Sequence, residues 1–130
     1  MAIDWDELRA AAMVASRHAY APYSNFAVGA AALTDDGRIV TGANVENASY
    51  GVTLCAECVL IGDLVMGGGG QLVAFVCTKP DGDVLMPCGR CRQLLSEHAA
   101  EGMLLETVSG IQTIDEVLPD AFGPRDLDHG

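Results

Sequence analysis

The order of apolar and polar positions divides the chain into alternating helical and extended segments. Between residues 4 and 18 the apolar positions fall mainly three or four apart, and Pro22 follows this stretch. That spacing places the apolar side chains on one face of a helix, and a proline disfavours its continuation. The pattern therefore predicts a first helix that packs against the core through one face.

A hairpin of two strands is predicted next. Residues 27–33 and 38–41 are rich in apolar and β-branched side chains, and Asp35-Asp36-Gly37 lies between them. An acidic residue followed by glycine is typical of the tight turn that joins two antiparallel strands. We therefore expect these two strands to be adjacent.

The middle of the chain predicts a buried helix followed by a strand. In residues 55–66 the only charges are Glu57 and Asp63, and the segment is apolar around most of its circumference. Four glycines at 67–70 end this helix, and they lack the lysine of a phosphate-binding loop. An apolar strand is predicted directly after them, at 72–78.

The remaining segments continue the alternation. Pro87 can occupy the first turn of a helix, which predicts a helix from residue 88 to about residue 98. Residues 103–108 predict one more strand, and residues 111–130 predict a short turn of helix followed by a loose tail. Because strands and helices alternate, the predicted fold class is an α/β sandwich.

Composition limits the size, the partners and the compartment. A chain of 130 residues of which 50% are hydrophobic can bury one core, so we predict a single domain over residues 1–130. The formal net charge of −11 repels phosphate backbones, so we expect no nucleic-acid partner and a small or uncharged substrate. The N-terminus is acidic without a signal-peptide pattern, and glycines interrupt the least charged stretch. We expect a cytoplasmic protein with no membrane partner.

Four of the five cysteines form two short pairs, Cys55-Ala56-Glu57-Cys58 and Pro87-Cys88-Gly89-Arg90-Cys91. The fifth, Cys77, lies in an apolar run and is predicted to be a packed core thiol. An odd number of cysteines fits a reducing compartment better than a disulfide scaffold. Four thiols could close a structural zinc site, whereas three thiolates beside a carboxylate would leave a fourth zinc position for water. The spacing alone leaves both alternatives open.

The motif Cys55-Ala56-Glu57 with Pro87-Cys88-Gly89-Arg90-Cys91 resembles the signature of the zinc-dependent nucleoside deaminases, specifically the small cytidine deaminases. The resemblance extends through residues 21–30, 42–50 and 118–123, in the order of the family. It implies a three-layer α/β/α sandwich with a mixed sheet of about five strands. It also implies an enzyme that hydrolyses cytidine and deoxycytidine to uridine and deoxyuridine with release of ammonia, in pyrimidine salvage.

The resemblance assigns roles to the motif residues. Cys55, Cys88 and Cys91 would hold one Zn²⁺ per chain, and Glu57 would be the catalytic proton shuttle. In three-cysteine relatives an arginine usually follows the glutamate and donates hydrogen bonds to the ligand sulfurs. This chain has Cys58 at that position, and we expect Arg90 or Arg92 to be the residue that could compensate.

The resemblance also implies a nucleoside site and an oligomer. Phe26 would pack on the pyrimidine, and the backbone N–H of Ala56 would donate to the base oxygen. Asn44 and Glu46 would hydrogen-bond the ribose 3′-hydroxyl, and Tyr50 would complete that wall. The resemblance further implies a homotetramer in which Phe122 reaches into the pocket of a neighbouring subunit and covers the base.

Two other functions fit part of the sequence. A deaminase of blasticidin-type antibiotics would share the metal motif and the size, but Asn44-Val45-Glu46 and Phe122 favour a nucleoside substrate. A non-catalytic zinc-binding module would use Cys58 as a fourth sulfur ligand and would hold no water on the metal. Zinc ribbons of that kind are usually small and do not come with an α/β chain of this size.

Overall fold

A mixed β-sheet forms the middle layer of the fold in the computed structural model, which describes residues 2–127. Its six strands are β1 (Gly29–Thr34), β2 (Ile39–Ala43), β3 (Leu72–Thr78), β4 (Val84–Leu85), β5 (Ala99–Thr107) and β6 (Gly110–Thr113). Their spatial order is β2, β1, β3, β5, β6, and β4 pairs with the end of β3. Strands β3 and β5 run parallel, and the other pairs described are antiparallel.

The first helix, α1 (Trp5–Ser16), begins directly after Asp4. The Asp4 carboxylate accepts a hydrogen bond from the backbone N–H of Glu7 at 3.1 Å. This bond satisfies one of the amides that a first helical turn leaves without a partner. Leu8 and Ala12 form the buried face of α1, as the apolar spacing predicts.

Three further helices are α2 (Ala56–Met66), α3 (Gly89–His98) and α4 (Ile114–Val117). Thr113 begins α4 with a capping box, in which its hydroxyl accepts from Glu116 N and the Glu116 carboxylate accepts from Thr113 N. A short 3₁₀ turn, Pro124–Leu127, closes the described part of the chain.

Helices cover both faces of the sheet. On one face, Ala30 and Phe75 belong to a buried cluster with Leu60 of α2 and Leu95 of α3. Strand residues that point to the other face of the sheet pack against α1. They form a second cluster, whose buried members are Leu8, Ala12, Ala31, Ala74 and Val76. Successive residues of a strand point to opposite faces, so β1 and β3 contribute to both clusters. The result is the predicted α/β/α arrangement.

The structure confirms the fold class and corrects several details. The expectation of a mixed sheet of about five strands is confirmed: five strands follow one another across the sheet, and the two-residue β4 is added at the end of β3. Residues 111–130 begin in an edge strand, β6, rather than in a helix; residues 128–130 of that prediction lie outside the described range. Strand β5 begins at Ala99 instead of 103, and it continues through Gly102, whose φ of 75° a glycine adopts without steric cost.

No helix within residues 2–127 is long and apolar enough to cross a bilayer.

Candidate metal and catalytic site

Three cysteine thiols meet where the N-terminal ends of α2 and α3 come together. Cys55 is the N-cap residue of α2, Cys88 is the N-cap residue of α3, and Cys91 lies in the first turn of α3. Their sulfur atoms all lie within 4.8 Å of one another. Helix N-termini favour thiolate over thiol, because the free amides and the helix dipole stabilise negative charge.

Packing of the two helices fixes this meeting point. Leu60 and Leu64 of α2 and Leu95 of α3 are fully buried and join the same cluster as Phe75 of the sheet. Pro87, the residue before Cys88, is also buried. The ends of both helices therefore rest on a rigid core, which is a requirement for ligands that must keep one geometry.

The three thiols fit a zinc ion. Sulfur atoms about 2.3 Å from zinc in a tetrahedral site lie about 3.8 Å apart, so a cluster that lies within 4.8 Å needs little movement to bind. Among the described residues, the group of candidate ligands comprises Cys55, Cys88 and Cys91, and Cys58 does not belong to it. Three soft donors without a fourth leave one coordination position for a small molecule.

Glu57 lies beside the thiols and is 4% exposed. Burial raises the pKa of the Glu57 carboxyl above its ordinary value, and a hydrogen bond with the Cys91 thiol offsets part of that rise. A raised pKa makes the carboxyl a better proton acceptor than an exposed glutamate, which suits a residue that must both accept and donate a proton.

The pKa values of the three thiols shift in different directions. Burial raises the pKa of Cys55, and burial together with the hydrogen bond to the Glu57 carboxylate raises the pKa of Cys91. Burial opposes ionisation of Cys88 as well, but hydrogen bonds from Cys91 and from the backbone N–H of Arg90 outweigh it and lower the pKa of Cys88. Cys88 is thus the thiol that ionises first, and a cation would favour the thiolate form of all three.

A cavity of about 290 Å³ opens onto Glu57, Cys55 and Cys88. It brings together six residues of the predicted site, namely Phe26, Asn44, Cys55, Ala56, Glu57 and Cys88. Its other walls were not predicted, and they are Val28, Thr53, Cys77, Leu85 and Met86. Cys77 is 1% exposed and was predicted as a core thiol; it is buried, yet it also forms part of this wall.

A second cavity of about 300 Å³ adjoins the first through Thr53, which lines both. Its other walls are Tyr23, Ser24, Glu46 and Tyr50. The rings of Tyr23 and Tyr50 stand edge to face with their centroids 6.1 Å apart. The predicted site residues Glu46 and Tyr50 therefore lie in a compartment next to the one that contains Glu57.

The side chains of Asn44 and Glu46 hydrogen-bond the loop that runs from Tyr23 to Val28. The Asn44 side chain accepts from Val28 N and donates to the Phe26 carbonyl oxygen, both at 2.9 Å. The Glu46 carboxylate accepts from Tyr23 N at 2.9 Å and from Ser24 N at 3.1 Å, and it also accepts from the Ser24 hydroxyl. The Ser24 hydroxyl lowers the pKa of Glu46, so this carboxylate is ionised at neutral pH.

Phe122 lies apart from both cavities. Its side chain is 57% exposed and borders a different surface depression that includes Pro119 and Arg125. Its carbonyl oxygen accepts a hydrogen bond from Gln93 Nε2 at 2.9 Å. The described chain therefore does not bring Phe122 to the pocket of its own Glu57.

Of the two arginines that could compensate for Cys58, Arg92 is engaged elsewhere. Arg92 donates from Nε to the Pro87 carbonyl oxygen at 2.8 Å and from Nη1 to the Val117 carbonyl oxygen at 3.0 Å. Arg90 is exposed, and its charge favours ionisation of Cys55. Of the two, Arg90 is the one whose charge acts on a ligand sulfur.

Residues 4–107 match the sequence model of a family described as the cytidine and deoxycytidylate deaminase zinc-binding region. The chain is 55% identical over 125 residues to a cytidine deaminase of Mycobacterium tuberculosis, which covers 96% of this chain and 94% of that protein. It is 41% identical over 121 residues to a cytidine deaminase of Halalkalibacterium halodurans, covering 89% of this chain and 92% of the relative.

A solved structure shows the same fold. The crystal structure of cytidine deaminase from Mycobacterium tuberculosis superposes with a TM-score of 0.90 at 55% identity, covering 94% of this chain and 99% of the other. That from Mycobacterium leprae gives a TM-score of 0.89 at 54% identity and covers 92% of this chain and 100% of the other. The similarity extends over nearly the whole length of both chains.

Proposed function

We propose that the chain, which belongs to the cytidine and deoxycytidylate deaminase family, hydrolyses cytidine and deoxycytidine to uridine and deoxyuridine with release of ammonia. One observation carries the proposal: three thiols lie within 4.8 Å of one another, and two of them, Cys55 and Cys88, line the same cavity as a buried carboxyl, Glu57. This is the donor set and the acid–base group that hydrolysis of an amidine C–N bond requires.

Cys55, Cys88 and Cys91 would hold one zinc ion per chain, and such an ion supplies a nucleophile from water at neutral pH. Glu57 carries the protons. Its carboxylate takes one proton of the attacking water and delivers it to N3 of the ring. It then takes the remaining proton from the new C4 hydroxyl and gives it to the departing amine, so that C4 becomes a carbonyl carbon. The C4–N bond breaks, a C4–O bond remains, and ammonia leaves. A positioned acid–base group of this kind typically contributes about 10²- to 10⁴-fold in rate.

The base is positioned by Phe26 and Ala56. Phe26 lines the cavity and offers an aromatic face to the pyrimidine. Ala56 is the first residue of α2, where a backbone N–H has no acceptor within the helix and can donate to the base oxygen. A cavity of about 290 Å³ that is mostly apolar suits a pyrimidine ring with a few directed polar contacts.

The proposed sugar site lies where the two cavities adjoin, with Asn44 in the wall of the first and Glu46 in the wall of the second. Glu46 and Asn44 keep free hydrogen-bonding capacity after their contacts to the backbone, because each carboxylate oxygen can accept two hydrogen bonds and the amide carries two N–H groups. We assign them the ribose 3′-hydroxyl, with Tyr50 as the wall beside it. In this arrangement the same two side chains shape the loop of Phe26 and bind the sugar.

We also propose the assembly and the cellular setting that the family resemblance implies. The active form is a homotetramer of single-domain chains spanning residues 1–130, and Phe122 covers the base in a neighbouring subunit. Support comes from exposure, since Phe122 is 57% and Tyr50 74% exposed in the single chain, which is high for large rings. We place the enzyme in the cytoplasm, in pyrimidine salvage.

The function is tested by adding purified, reduced protein to cytidine and following the loss of the cytidine absorbance band together with ammonia and uridine formation. We expect one uridine and one ammonia per cytidine, loss of activity after zinc is removed with a chelator, and recovery when zinc is restored. Blasticidin-type antibiotics tested in parallel should react far more slowly. No uridine from the zinc-loaded protein, or preferential turnover of the antibiotic, would overturn the proposal.

A further inference from the structure

One guanidinium joins the cysteine site to the C-terminal part of the chain. Arg92 follows Cys91 in α3, and its two bonds reach the carbonyl oxygens of Pro87 and Val117. Pro87 immediately precedes Cys88, and Val117 is the last residue of α4. The same planar group therefore contacts the backbone beside a candidate zinc ligand and the backbone where the C-terminal segment begins.

A second contact from the same helix reaches further along that segment. Gln93, the residue after Arg92, donates to the Phe122 carbonyl oxygen at 2.9 Å. Residues 118–123 adopt no regular secondary structure, so their placement depends on contacts of this kind. Two consecutive residues of α3 thus hold the segment from Val117 to Phe122 at both of its ends.

The arginine side chain is suited to donating hydrogen bonds to two carbonyl oxygens at once. Its guanidinium holds several N–H donors in one rigid plane, so the directions of two bonds are fixed relative to each other. The Pro87 end lies in a buried position, where a carbonyl oxygen without a partner is unfavourable. A lysine in this place would present a single charged nitrogen on a flexible stem and could not hold both carbonyls in the same geometry.

We propose that Arg92 is a positioning residue that couples the Cys88 end of the zinc site to the C-terminal segment bearing Phe122. The proposal rests on the proposed function for the identity of the zinc ligands. A zinc site with a fixed Cys88 keeps Pro87 in place, Pro87 keeps the guanidinium in place, and the guanidinium keeps Val117 in place. Loosening either end then loosens the other, because coupling between two sites is reciprocal.

The first test uses the wild-type protein and needs no turnover. Amide hydrogen exchange is measured by mass spectrometry on peptides from residues 85–92 and 114–122, with zinc bound and after zinc removal under reducing conditions. We expect zinc removal to raise exchange in both peptides by on the order of threefold or more. Peptides from α1, which packs on the other face of the sheet, report any general loss of stability and should change little.

The second test replaces the guanidinium. Arg92→Lys keeps the positive charge but removes the planar guanidinium with its several N–H donors. Arg17→Lys is the matched control, since Arg17 is exposed at the end of α1. Zinc release to a chromophoric chelator should be about tenfold faster in Arg92→Lys and unchanged in the control. Exchange in residues 114–122 should already be high in zinc-loaded Arg92→Lys and should no longer respond to zinc removal.

The outcomes separate this proposal from the proposed function, because neither measurement depends on cytidine. If the rate of amide hydrogen exchange in residues 114–122 of the wild type does not change when zinc is removed, the proposed coupling is wrong. An Arg92→Lys protein that releases zinc at the wild-type rate, or one whose C-terminal peptide still responds to zinc as in the wild type, would overturn it as well. If Arg92→Lys does not fold, the wild-type exchange measurement decides alone.

Discussion

Gly42 of β2 lies directly beneath the first turn of α2, so that a β-carbon on Gly42 would stand 2.3 Å from the carbonyl oxygen of Ala56. It would also stand 2.4 Å from the backbone nitrogen of Leu60. Atoms of a side chain cannot approach backbone so closely without movement of one element. The absence of a side chain at this position is therefore what allows the helix that carries Cys55 and Glu57 to sit against the sheet.

We predict that Gly42→Ala displaces α2, because the clash is with helix backbone rather than with a flexible side chain. Overpacking of this kind costs about 1–3 kcal/mol, and the displaced helix should also lower kcat through Glu57. The matched control is Gly62→Ala on the exposed side of α2, where a β-carbon meets nothing within 4 Å. That change should stabilise by about 0.5–1 kcal/mol. Urea unfolding measures whether Gly42→Ala lowers and Gly62→Ala raises the free energy of unfolding. Equal stabilities of the two variants would contradict the close packing of α2 on Gly42.

We predict that Cys58→Ser retains one zinc per chain, whereas serine at Cys55, Cys88 or Cys91 does not. A hydroxyl does not ionise at neutral pH, so each of the three ligand substitutions removes an anionic donor, and Cys58 lies outside the cluster. The measurement is zinc content by elemental analysis after dialysis against a weak chelator. Similar zinc loss in all four variants would support the closed four-cysteine site instead.

Much of this architecture could be predicted from local pattern. The strand at 72–78 is recovered with its bounds, and α1, α2 and α3 begin within one residue of the expected positions, because long apolar segments and a proline mark them clearly. The two-residue strand β4 could not be predicted, since its pairing with β3 is set by tertiary contact rather than by any local period.

The site shows a similar division. The cysteine motif places Cys55, Cys88 and Cys91 together because both pairs begin helices that meet at one end. The cavity walls Thr53, Leu85 and Met86 carry no motif and become visible only when the loops before α2 and α3 are placed side by side. The contacts of Arg92 are of the same kind, since their acceptors are backbone carbonyls, which leave no mark in a sequence.

We predict that active sites are shared between subunits. Chains carrying Glu57→Ala and chains carrying Phe122→Ala, each poorly active alone, are dissociated, mixed and reassembled. Some mixed oligomers then combine an intact Glu57 pocket with an intact Phe122 from the neighbour, so activity should rise above that of both parents. Proven subunit exchange without a rise in activity would contradict the shared active site.

We predict that Glu57 makes the zinc-free protein lose stability as pH increases. Burial raises the pKa of Glu57 in the folded state, so the folded protein binds this proton more tightly than the unfolded protein does. The resulting stabilisation is complete below the ordinary glutamate pKa of about 4.3 and is lost as pH rises through the raised value.

The comparison is between zinc-free, reduced wild type and zinc-free, reduced Glu57→Gln. The amide does not titrate, so its stability relative to the wild type should increase as pH rises above the ordinary glutamate pKa of about 4.3. Urea unfolding at a series of pH values gives the difference directly. If the difference in unfolding free energy between the two proteins stays constant with pH, burial does not raise the pKa of Glu57 in the folded state.

The central claim, that Glu57 moves the protons of a three-thiolate deaminase, is tested most directly by the kcat of Glu57→Gln on cytidine at equal zinc content. The amide keeps the shape of the carboxyl but cannot carry a proton between water, N3 and the departing amine. We predict full zinc occupancy, an unchanged fold and a loss of kcat of about 10²- to 10⁴-fold. Retention of a tenth or more of the wild-type kcat would mean that another group moves the protons and would contradict the account.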